Sequence, residues 1–271
     1  MGKNQTFKTI RSYTFRDGSL SPEPTDLLTE TPLEITIEGG RQVLIMCTPL
    51  LVKELVYGFL FTEGMINGAE DVLACHIQQG ETGHSDDVIQ AQISLAEPSS
   101  AVDTGPAKRI SFSSCGVCGK QNYSELHPQL LRIKSRVRFS MDTIISCSQR
   151  LEERQKLYWR TGGAHAAMLL DKDAVPALFS EDMGRHNALD KVIGAALLQR
   201  LSLEEMILVS SGRASLEMIL KTARARIPLF VAMSRPTSKA VEAAKVYNVT
   251  LVDLAKGSNR IHSNVRRIEG F

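Results

Sequence analysis

Several features that define common protein classes are missing from this sequence of 271 residues. No apolar run reaches the length of a membrane-spanning helix, and the first residues, MGKNQTFKTIRS, lack the apolar stretch of a signal peptide. With 32 basic and 30 acidic residues the net charge is only +2, so charge gives no indication of a nucleic-acid or membrane partner. We therefore expect a cytoplasmic protein that binds neither.

The two commonest nucleotide-binding loops are missing as well. The sequence has no GxGxxG motif and no GxxxxGKS/T motif, which excludes the signatures of a Rossmann dinucleotide site and of a P-loop. Five cysteines are present, an odd number, and without an export signal this favours reduced thiols over a disulfide framework.

The segment FSSCGVCGKQ (112–121) places Cys115 and Cys118 three residues apart among serines and glycines. Such a pair can ligate zinc, exchange a disulfide or carry sulfur as a persulfide. A structural zinc site needs four ligands, and no second pair has the required spacing, so we expect no structural metal. A thioredoxin-like pair lies at a helix start, which GKQN (119–122) forms poorly. The glycines and the nearby Lys120 make sulfur carriage plausible and leave disulfide exchange open.

The predicted elements divide the chain into a smaller α+β domain, residues 1–140, and a second domain, residues 141–271. In the first domain, alternating or apolar runs predict strands, and Thr48-Pro49 predicts the start of an apolar helix that Gly64 ends. Basic residues at alternate positions in 132–138 predict an edge strand. The predicted strands are 6–15, 33–37, 43–47, 88–94 and 132–138.

In the second domain, short apolar strands alternate with longer helices after a polar helix at about 141–157. The order β-β-α-β-α-β-α-β indicates βαβ units and a largely parallel sheet, so the fold class is α/β. The predicted strands are 166–170, 175–180, 206–210, 227–233 and 250–254, and the helices are 187–201, 214–225 and 237–247.

Polar residues follow three of these strands, where each runs into the next helix. Because carboxyl ends of strands and amino ends of helices share one edge of an open sheet, we expect them to form one anion-binding site. Arginines can bind phosphate oxygens in a forked geometry, Gly212 allows close approach, and the carboxylates can accept hydrogen bonds from a ribose or base. The candidate residues at these strand ends and helix starts are Asp182, Arg185, His186, Asn187, Asp190, Ser210, Ser211, Gly212, Arg213, Ser215, Glu217, Ser234 and Thr237. Gly163 and His165 open the first strand of this domain, and the two glycines beside the histidine favour close approach of a ligand to the backbone.

A purely structural interpretation of single residues is available. Serine and asparagine at these positions are ordinary helix N-caps, and Asp190-Lys191 fits charge on a helix surface. The coincidence of three polar helix starts, two with arginine, favours a phosphorylated or nucleotide-like ligand.

Several motifs occur together in an order that closely resembles the formate dehydrogenase accessory sulfurtransferase family, FdhD. The resemblance spans nearly the whole chain, and the run around Arg185-His186-Asn187 is specific. The motifs are CTPLLVKELVYGFLFTEG (47–64), SSCGVCG (113–119), TGGAH (161–165), EDMGRHNALDK (181–191), SSGRASLE (210–217) and SRPT (234–237).

The resemblance implies a cytidine-deaminase-like, three-layer carboxy-terminal domain. Zinc deaminases need HxE and PCxxC, and the corresponding helix starts here are His186-Asn187-Ala188 and Ser211-Gly212-Arg213, so the resemblance also implies no metal site. A second implied binding segment comprises Leu254, Ala255, Lys256, Gly257, Ser258 and Asn259, with Leu and Lys where relatives often have an aromatic residue and an arginine.

The resemblance further implies a sulfurtransferase that is also a cofactor-binding chaperone. Cys115 would receive sulfur from a cysteine desulfurase as a persulfide, with Cys118 as its companion. The acceptor would be the bis-molybdopterin guanine dinucleotide cofactor of molybdenum or tungsten, with its guanine nucleotide on the polar edge, before the cofactor enters formate dehydrogenase. Relatives are commonly homodimers. The alternatives are a cofactor carrier without catalysis and a thiol–disulfide oxidoreductase.

Overall fold

The computed structural model describes residues 5–82, 85–96, 108–111 and 130–271, and gives only the backbone for residues 41, 80–82, 85–87 and 108–111. The first half contains β1 (Phe7–Arg16), β2 (Ser19–Leu28), β3 (Thr31–Ile37), β4 (Arg41–Cys47), α1 (Val52–Thr62), β5 (Val72–Thr82), β6 (Ser85–Leu95) and β7 (Lys108–Ser111). The second half contains α2 (Met141–Glu152), α3 (Lys156–Thr161), β8 (His165–Leu170), β9 (Pro176–Asp182), α4 (Arg185–Leu198), β10 (Ile207–Arg213), α5 (Leu216–Arg224), β11 (Leu229–Ser234), α6 (Ser238–Tyr247), β12 (Thr250–Asp253) and β13 (Arg260–Ser263).

The second half is built on a six-stranded sheet with the order β13-β12-β11-β10-β8-β9. Strands β10, β11 and β12 are parallel, as the βαβ pattern predicts, whereas β8 and β13 run antiparallel to their neighbours. The mixed α/β class is therefore confirmed. The closer assignment to a cytidine-deaminase-like domain stays a prediction.

Both faces of this sheet are covered. Alternate residues of its strands, such as Met168 and Val209, pack with α2 and with Phe139 and Ile268 in one buried cluster. The residues between them, such as Leu208, pack on the other face with α4, α5 and α6. Because successive side chains of a strand point to opposite faces, strands buried on both faces need continuous apolar runs, and the inner strands β8, β10 and β11 have them.

Helix α4 lies at the centre of the molecule. Every residue from His186 to Ala196 is buried, including the polar and charged ones. A helix buried on all sides must pair its polar groups within the protein. This burial contradicts the interpretation of Asp190-Lys191 as surface charge.

The core around α4 extends into the first half of the chain. It includes α1 and a five-stranded sheet with the order β5-β6-β3-β4-β7. Gly64 follows the end of α1 with φ +77°, as expected of a glycine that ends a helix. The helix begins at Val52, however, with Leu51 as its N-cap, so Thr48 does not cap it.

Three other features differ from the sequence-based expectations. Residues 132–138 form no strand, and only Phe139 makes a β-bridge, with Ile268. The helix expected over 141–157 is two helices, and the second begins where Glu181 accepts hydrogen bonds from the backbone N–H groups of Leu157 and Tyr158, at 2.9 and 2.8 Å. Strands β2, β5, β7 and β13 were not predicted.

None of the described helices is long and apolar enough to cross a membrane. The division of the chain at residue 140 stays a prediction.

Candidate functional site

The polar helix starts lie along one edge of the six-stranded sheet. Strands β9, β10, β11 and β12 end at this edge, and β8 and β13 begin there, as the strand pairings require. The amino ends of α4, α5 and α6 follow β9, β10 and β11 directly. The edge therefore combines the helix amino ends and polar side chains that anion binding uses.

Two of the predicted ligand residues cap the helices themselves. Ser215 accepts a hydrogen bond from the backbone N–H of Met218 at 3.4 Å, and Thr237 accepts one from Ala240 at 3.2 Å. Both contacts are N-caps, so the structural interpretation holds for these hydroxyl groups. The N-cap of α4 is Gly184, which has no side chain to fill this position.

His165, Arg185, Ser211 and Gly212 meet at the junction of β8, β10 and α4. Ser211 Oγ lies 3.4 Å from His165 Nδ1 and accepts the backbone N–H of Ala166 at 2.8 Å. A β-carbon at position 212 would lie 2.9 Å from Arg185 Cδ and 3.6 Å from His165 Nδ1. The glycine therefore leaves space for the arginine and histidine side chains. Burial, reinforced by the positive charge of Arg185, lowers the pKa of His165.

A second histidine is held by the start of α5. His186 is buried, and its Nε2 lies 3.3 Å from Ser215 Oγ and 3.5 Å from Glu217 Oε2. The structure thus joins α4 to α5 through His186, Ser215 and Glu217.

The carboxylate of Asp182 is fully enclosed by donors. Oδ1 accepts the backbone N–H of Gly184 and Asn187 Nδ2, both at 2.9 Å. Oδ2 accepts the backbone N–H of Thr48 at 3.0 Å and lies 2.6 Å from Lys191 Nζ. These four donors fill the acceptor positions of a carboxylate, which favours a role in holding the site together over direct contact with a ligand.

Asp190 belongs to a separate buried pair near the far end of α1. It lies 2.7 Å from Lys221 Nζ and 2.8 Å from Thr62 Oγ1, and Lys221 is also 3.4 Å from Glu63. Burial raises the pKa of Asp190 to about 6, and the positive charge of Lys221 limits the rise. The structure does not bring this carboxylate to the polar edge.

The predicted segment 254–259 follows β12 at the same edge. Asp253 is fully buried and accepts hydrogen bonds from the backbone N–H of Ala255 at 3.1 Å, from the hydroxyl of Ser258 and from His262 Nε2 at 2.6 Å. Lys256 has φ +52° and Asn259 has φ +46°, so the loop turns sharply within a few residues. Asp253 therefore fixes both halves of the loop.

The remaining candidates lie at the same edge. Ser210 is buried and accepts the backbone N–H of Gly212 at 3.3 Å. Arg213 is exposed, and its backbone lies opposite that of Ser234 where β10 pairs with β11. Gly163 is exposed beside Leu28, whose Cβ lies 3.6 Å from where a β-carbon would stand.

Cys115 and Cys118 lie outside the described residues. The described thiols are Cys47, Cys75 and Cys147, and all are free. Burial raises the pKa of Cys47 and of Cys147 to about 12, so neither is a ready nucleophile. In the described part of the chain, no group of three or more His, Cys, Asp or Glu side chains is arranged to hold a metal ion.

The described strand β7, in the five-stranded sheet, ends four residues before Cys115. It runs parallel to β4, with Ser111 opposite Ile45. The next residues of β4 contact α4: Asn187 Nδ2 donates to the Met46 carbonyl at 2.8 Å. The chain therefore enters the sequence that carries Cys115 beside the amino end of α4.

Comparison with known proteins identifies the family. A family model described as the FdhD/NarQ family matches residues 28–269. The chain belongs to the FdhD/NarQ family. This confirms the resemblance stated from the motifs, and the matched range includes both the five-stranded and the six-stranded sheet.

Curated members of the FdhD/NarQ family are similar over nearly their whole length. A "Sulfur carrier protein FdhD" of Mycolicibacterium paratuberculosis is 37% identical over 265 residues, which covers 93% of this chain and 94% of that protein. A protein of the same name from Thermoplasma volcanium is 33% identical over 278 aligned positions, which covers 98% and 95% of the two chains. The family is therefore shown by sequence.

A solved structure confirms the fold. The crystal structure provisionally assigned as a formate dehydrogenase accessory protein from Desulfotalea psychrophila superposes with a TM-score of 0.74 and covers 97% of this chain and 100% of that one. At 23% identity it supports the fold alone.

The sequence did not predict the buried contacts that Thr48, Lys191 and Lys221 make in this FdhD/NarQ protein. A lysine within the apolar run ALDKVIGAALL (188–198) is the one signal for Lys191, because a buried lysine needs a partner. Its partners come from β9 and from Thr48, the residue that follows β4, and no local pattern reveals the second of these.

Proposed function

We propose that this protein is a sulfurtransferase that carries sulfur on Cys115 and delivers it to a bis-molybdopterin guanine dinucleotide cofactor required by formate dehydrogenase. The observation that supports the proposal is the position of β7, which ends at Ser111, four residues before Cys115, opposite Ile45 and next to the point where β4 contacts the amino end of α4. A sulfur carrier needs its thiol close to the acceptor, and this edge has the groups for a nucleotide phosphate. The names of the curated relatives support the same function.

The first step of the proposed reaction is thiol exchange. The Cys115 thiolate attacks the outer sulfur of a persulfide on a cysteine desulfurase. A bond forms between Cys115 Sγ and that sulfur, the sulfur–sulfur bond of the donor breaks, and the donor cysteine leaves as a thiolate. No net oxidation occurs.

The second step reduces the transferred sulfur. The Cys118 thiolate attacks Cys115 Sγ, and the outer sulfur leaves as sulfide with the electron pair of the broken bond. A Cys115–Cys118 disulfide remains, which a cellular dithiol must reduce, and the sulfide passes to the cofactor as acceptor substrate.

The residues at the edge fit the nucleotide part of this acceptor. Arg213 is exposed there, Gly212 leaves room beside Arg185, and the amino ends of three helices adjoin it. Arginine and helix amino ends both favour phosphate. The homodimer, the cytoplasmic location and the choice between molybdenum and tungsten stay predictions.

Intact-protein mass spectrometry after incubation with a cysteine desulfurase and cysteine tests sulfur carriage. We expect a gain of sulfur that maps to Cys115, is reversed by a reductant and is lost in Cys115→Ala. Without added reductant, Cys118→Ala should still load sulfur but not release it as sulfide. If Cys115→Ala supports formate dehydrogenase activity as well as wild type, the protein is a cofactor carrier. If a reversible Cys115–Cys118 disulfide supports activity without a sulfur donor, it is an oxidoreductase.

Guanosine diphosphate binding tests the nucleotide edge. Arg213→Ala should weaken binding by at least about tenfold, because a hydrogen bond to a charged group contributes about 1.5–3 kcal/mol. The matched control is Arg226→Ala, since Arg226 is also an exposed arginine but lies before β11, at the opposite edge, and pairs with Glu204. Equal affinity of wild type and Arg213→Ala would refute the phosphate role.

A further inference from the structure

We propose that the buried Asp182–Lys191 pair is a positioning unit that fixes the end of β4 against the amino end of α4, and thereby sets where sulfur is delivered. The proposal rests on the proposed function. It concerns residues that themselves contact neither sulfur nor nucleotide.

Lys191 connects three elements at one point. Its Nζ lies 2.6 Å from Asp182 Oδ2 and donates to the carbonyl groups of Thr48 at 3.0 Å and Glu181 at 3.4 Å. Neither side chain of the ion pair has any exposed surface. A lysine on α4 therefore holds the residue that follows β4 and the end of β9 together.

The end of β4 is held by further hydrogen bonds from the same region. The backbone N–H of Thr48 donates to Asp182, and the hydroxyl of Thr48 accepts the backbone N–H of Met183 at 3.1 Å. Asn187 bridges Asp182 and the carbonyl of Met46. Every described polar group of Thr48 is thus bound by the segment from Glu181 to Lys191.

Stability alone does not explain why so many polar contacts hold the end of β4 against α4 and β9. Removing two charges from water costs about as much as their attraction returns, and well-packed apolar residues often replace a buried ion pair without loss of stability. A pair that also binds backbone groups of a neighbouring strand gives directional contacts, which apolar residues cannot supply. The geometry therefore points to a role in placing β4.

The placement of β4 matters because β7 is paired with it. Ser111 of β7 lies opposite Ile45 of β4, and Ile45 is three residues before Thr48. The position of β4 relative to α4 consequently sets where the chain leaves the sheet toward Cys115, relative to the polar edge.

The protein contains a matched control in its second buried pair. Lys221 is also buried and forms an ion pair with an aspartate of α4, Asp190. It contacts Thr62 and Glu63 at the carboxyl end of α1, however, away from Thr48. Loss of either lysine removes one buried charge from the same core. Only Lys191 contacts the end of β4.

The experiment compares Lys191→Met and Lys221→Met in the full-length protein. Melting temperature, guanosine diphosphate affinity, sulfur loading of Cys115 and formate dehydrogenase activity in cells that depend on the variant are measured for each. We expect both variants to lose similar stability. Both should keep sulfur loading and nucleotide affinity within about threefold: in Lys191→Met the donors to Asp182 Oδ1 remain, and Lys221 does not contact Asp182. Activity should fall at least tenfold only in Lys191→Met.

If Lys191→Met does not fold, Thr48→Val is measured instead. It removes only the hydrogen bond from the backbone N–H of Met183 and no charge. It should lower activity while sulfur loading is retained. Equal activity losses in the two lysine variants, or full activity in Lys191→Met or Thr48→Val, would overturn the positioning role. Failure of wild type to load sulfur on Cys115 or to bind guanosine diphosphate would instead overturn the proposed function.

Discussion

Gly58 of α1 and Gly194 of α4 meet where the two helices cross, and neither has room for a β-carbon. A β-carbon on Gly58 would overlap the backbone carbonyl of Asp190, and one on Gly194 would overlap the backbone carbonyl of Glu54. The crossing therefore brings the two backbones into direct contact. It sets the distance between α1 and the helix that carries the polar edge.

Replacement of either glycine by alanine should destabilise the protein. Alanine favours a helix by about 1 kcal/mol over glycine, but overlap with a backbone atom cannot be relieved by a side-chain rotation, and overpacking costs about 1–3 kcal/mol or more. We expect Gly58→Ala and Gly194→Ala to lower the free energy of unfolding in urea. Gly163→Ala is the control, because its β-carbon would make an ordinary contact with Leu28 at 3.6 Å. A gain in stability at position 58 or 194 would contradict the close crossing.

The described cysteines should not carry sulfur. Burial raises the pKa of the Cys47 and Cys147 thiols to about 12 and also raises that of Cys75. At pH 8 these thiols are almost entirely protonated, and the thiolate is the nucleophile. We expect Cys47→Ala, Cys75→Ala and Cys147→Ala to keep full sulfur loading by mass spectrometry, and native Cys47 and Cys147 to resist alkylation. Transfer of the sulfur label to any of the three in wild type would show that burial does not protect them.

Much of the second half could be predicted from sequence because its signals are local. The apolar runs of β8, β10 and β11 and the intervening helices each show their own periodicity, and the strand order places their ends on one edge. Strand β2 was missed because Pro22 and Pro24 argue against a central strand. It is one of two strands in an isolated ribbon, where proline is tolerated.

The internal contacts that occupy some of the candidate site residues could not be predicted. Asp182 and Asp190 lie eight residues apart in one motif, EDMGRHNALDK (181–191), yet one lies beside β4 and the other beside the end of α1. Asp190 does not pair with its neighbour in the sequence, Lys191, but with Lys221, 31 residues away. Lys191 pairs with Asp182 instead. Such contacts depend on how α1 packs against α4, which only the assembled core determines.

His165 should make stability depend on pH near neutrality. Burial and the charge of Arg185 lower its pKa below the ordinary value of 6.5, so the folded protein favours the neutral ring. Its contribution is fully present above pH 6.5 and is lost as the pH falls from 6.5 toward the folded pKa, because only the unfolded chain takes up a proton there.

Melting temperatures of wild type and His165→Gln between pH 5 and pH 8 measure this contribution. The wild type should lose more stability than the variant as the pH falls from about 6.5, the ordinary histidine pKa. Parallel pH profiles would show that His165 titrates alike in the folded and unfolded chains.

Asp253 should hold the loop 254–259 in the shape seen in the structure, on which the proposed nucleotide site depends. Burial by itself raises the pKa of Asp253, but hydrogen bonds from Ser258 and His262 outweigh it and lower the pKa below the ordinary value of 3.8. The carboxylate form therefore stabilises the fold above pH 3.8, and this stabilisation is lost as the pH falls through the lowered pKa.

Asp253→Asn keeps the size of the side chain but replaces one acceptor oxygen with an amide donor, so the contact with either Ser258 or His262 must be lost or reversed. Hydrogen exchange should speed up at the backbone amides of Ala255 and Ser258, and guanosine diphosphate affinity should fall by about three- to tenfold, in the range of one net hydrogen bond. His262→Gln is the control, because it removes one donor position and leaves the contacts of Oδ1 in place. If the two variants exchange alike at Ala255 and Ser258, Asp253 holds β13 and not the loop. Faster exchange in Asp253→Asn alone, with unchanged nucleotide affinity, would show that the loop is anchored as described but makes no contact with the nucleotide.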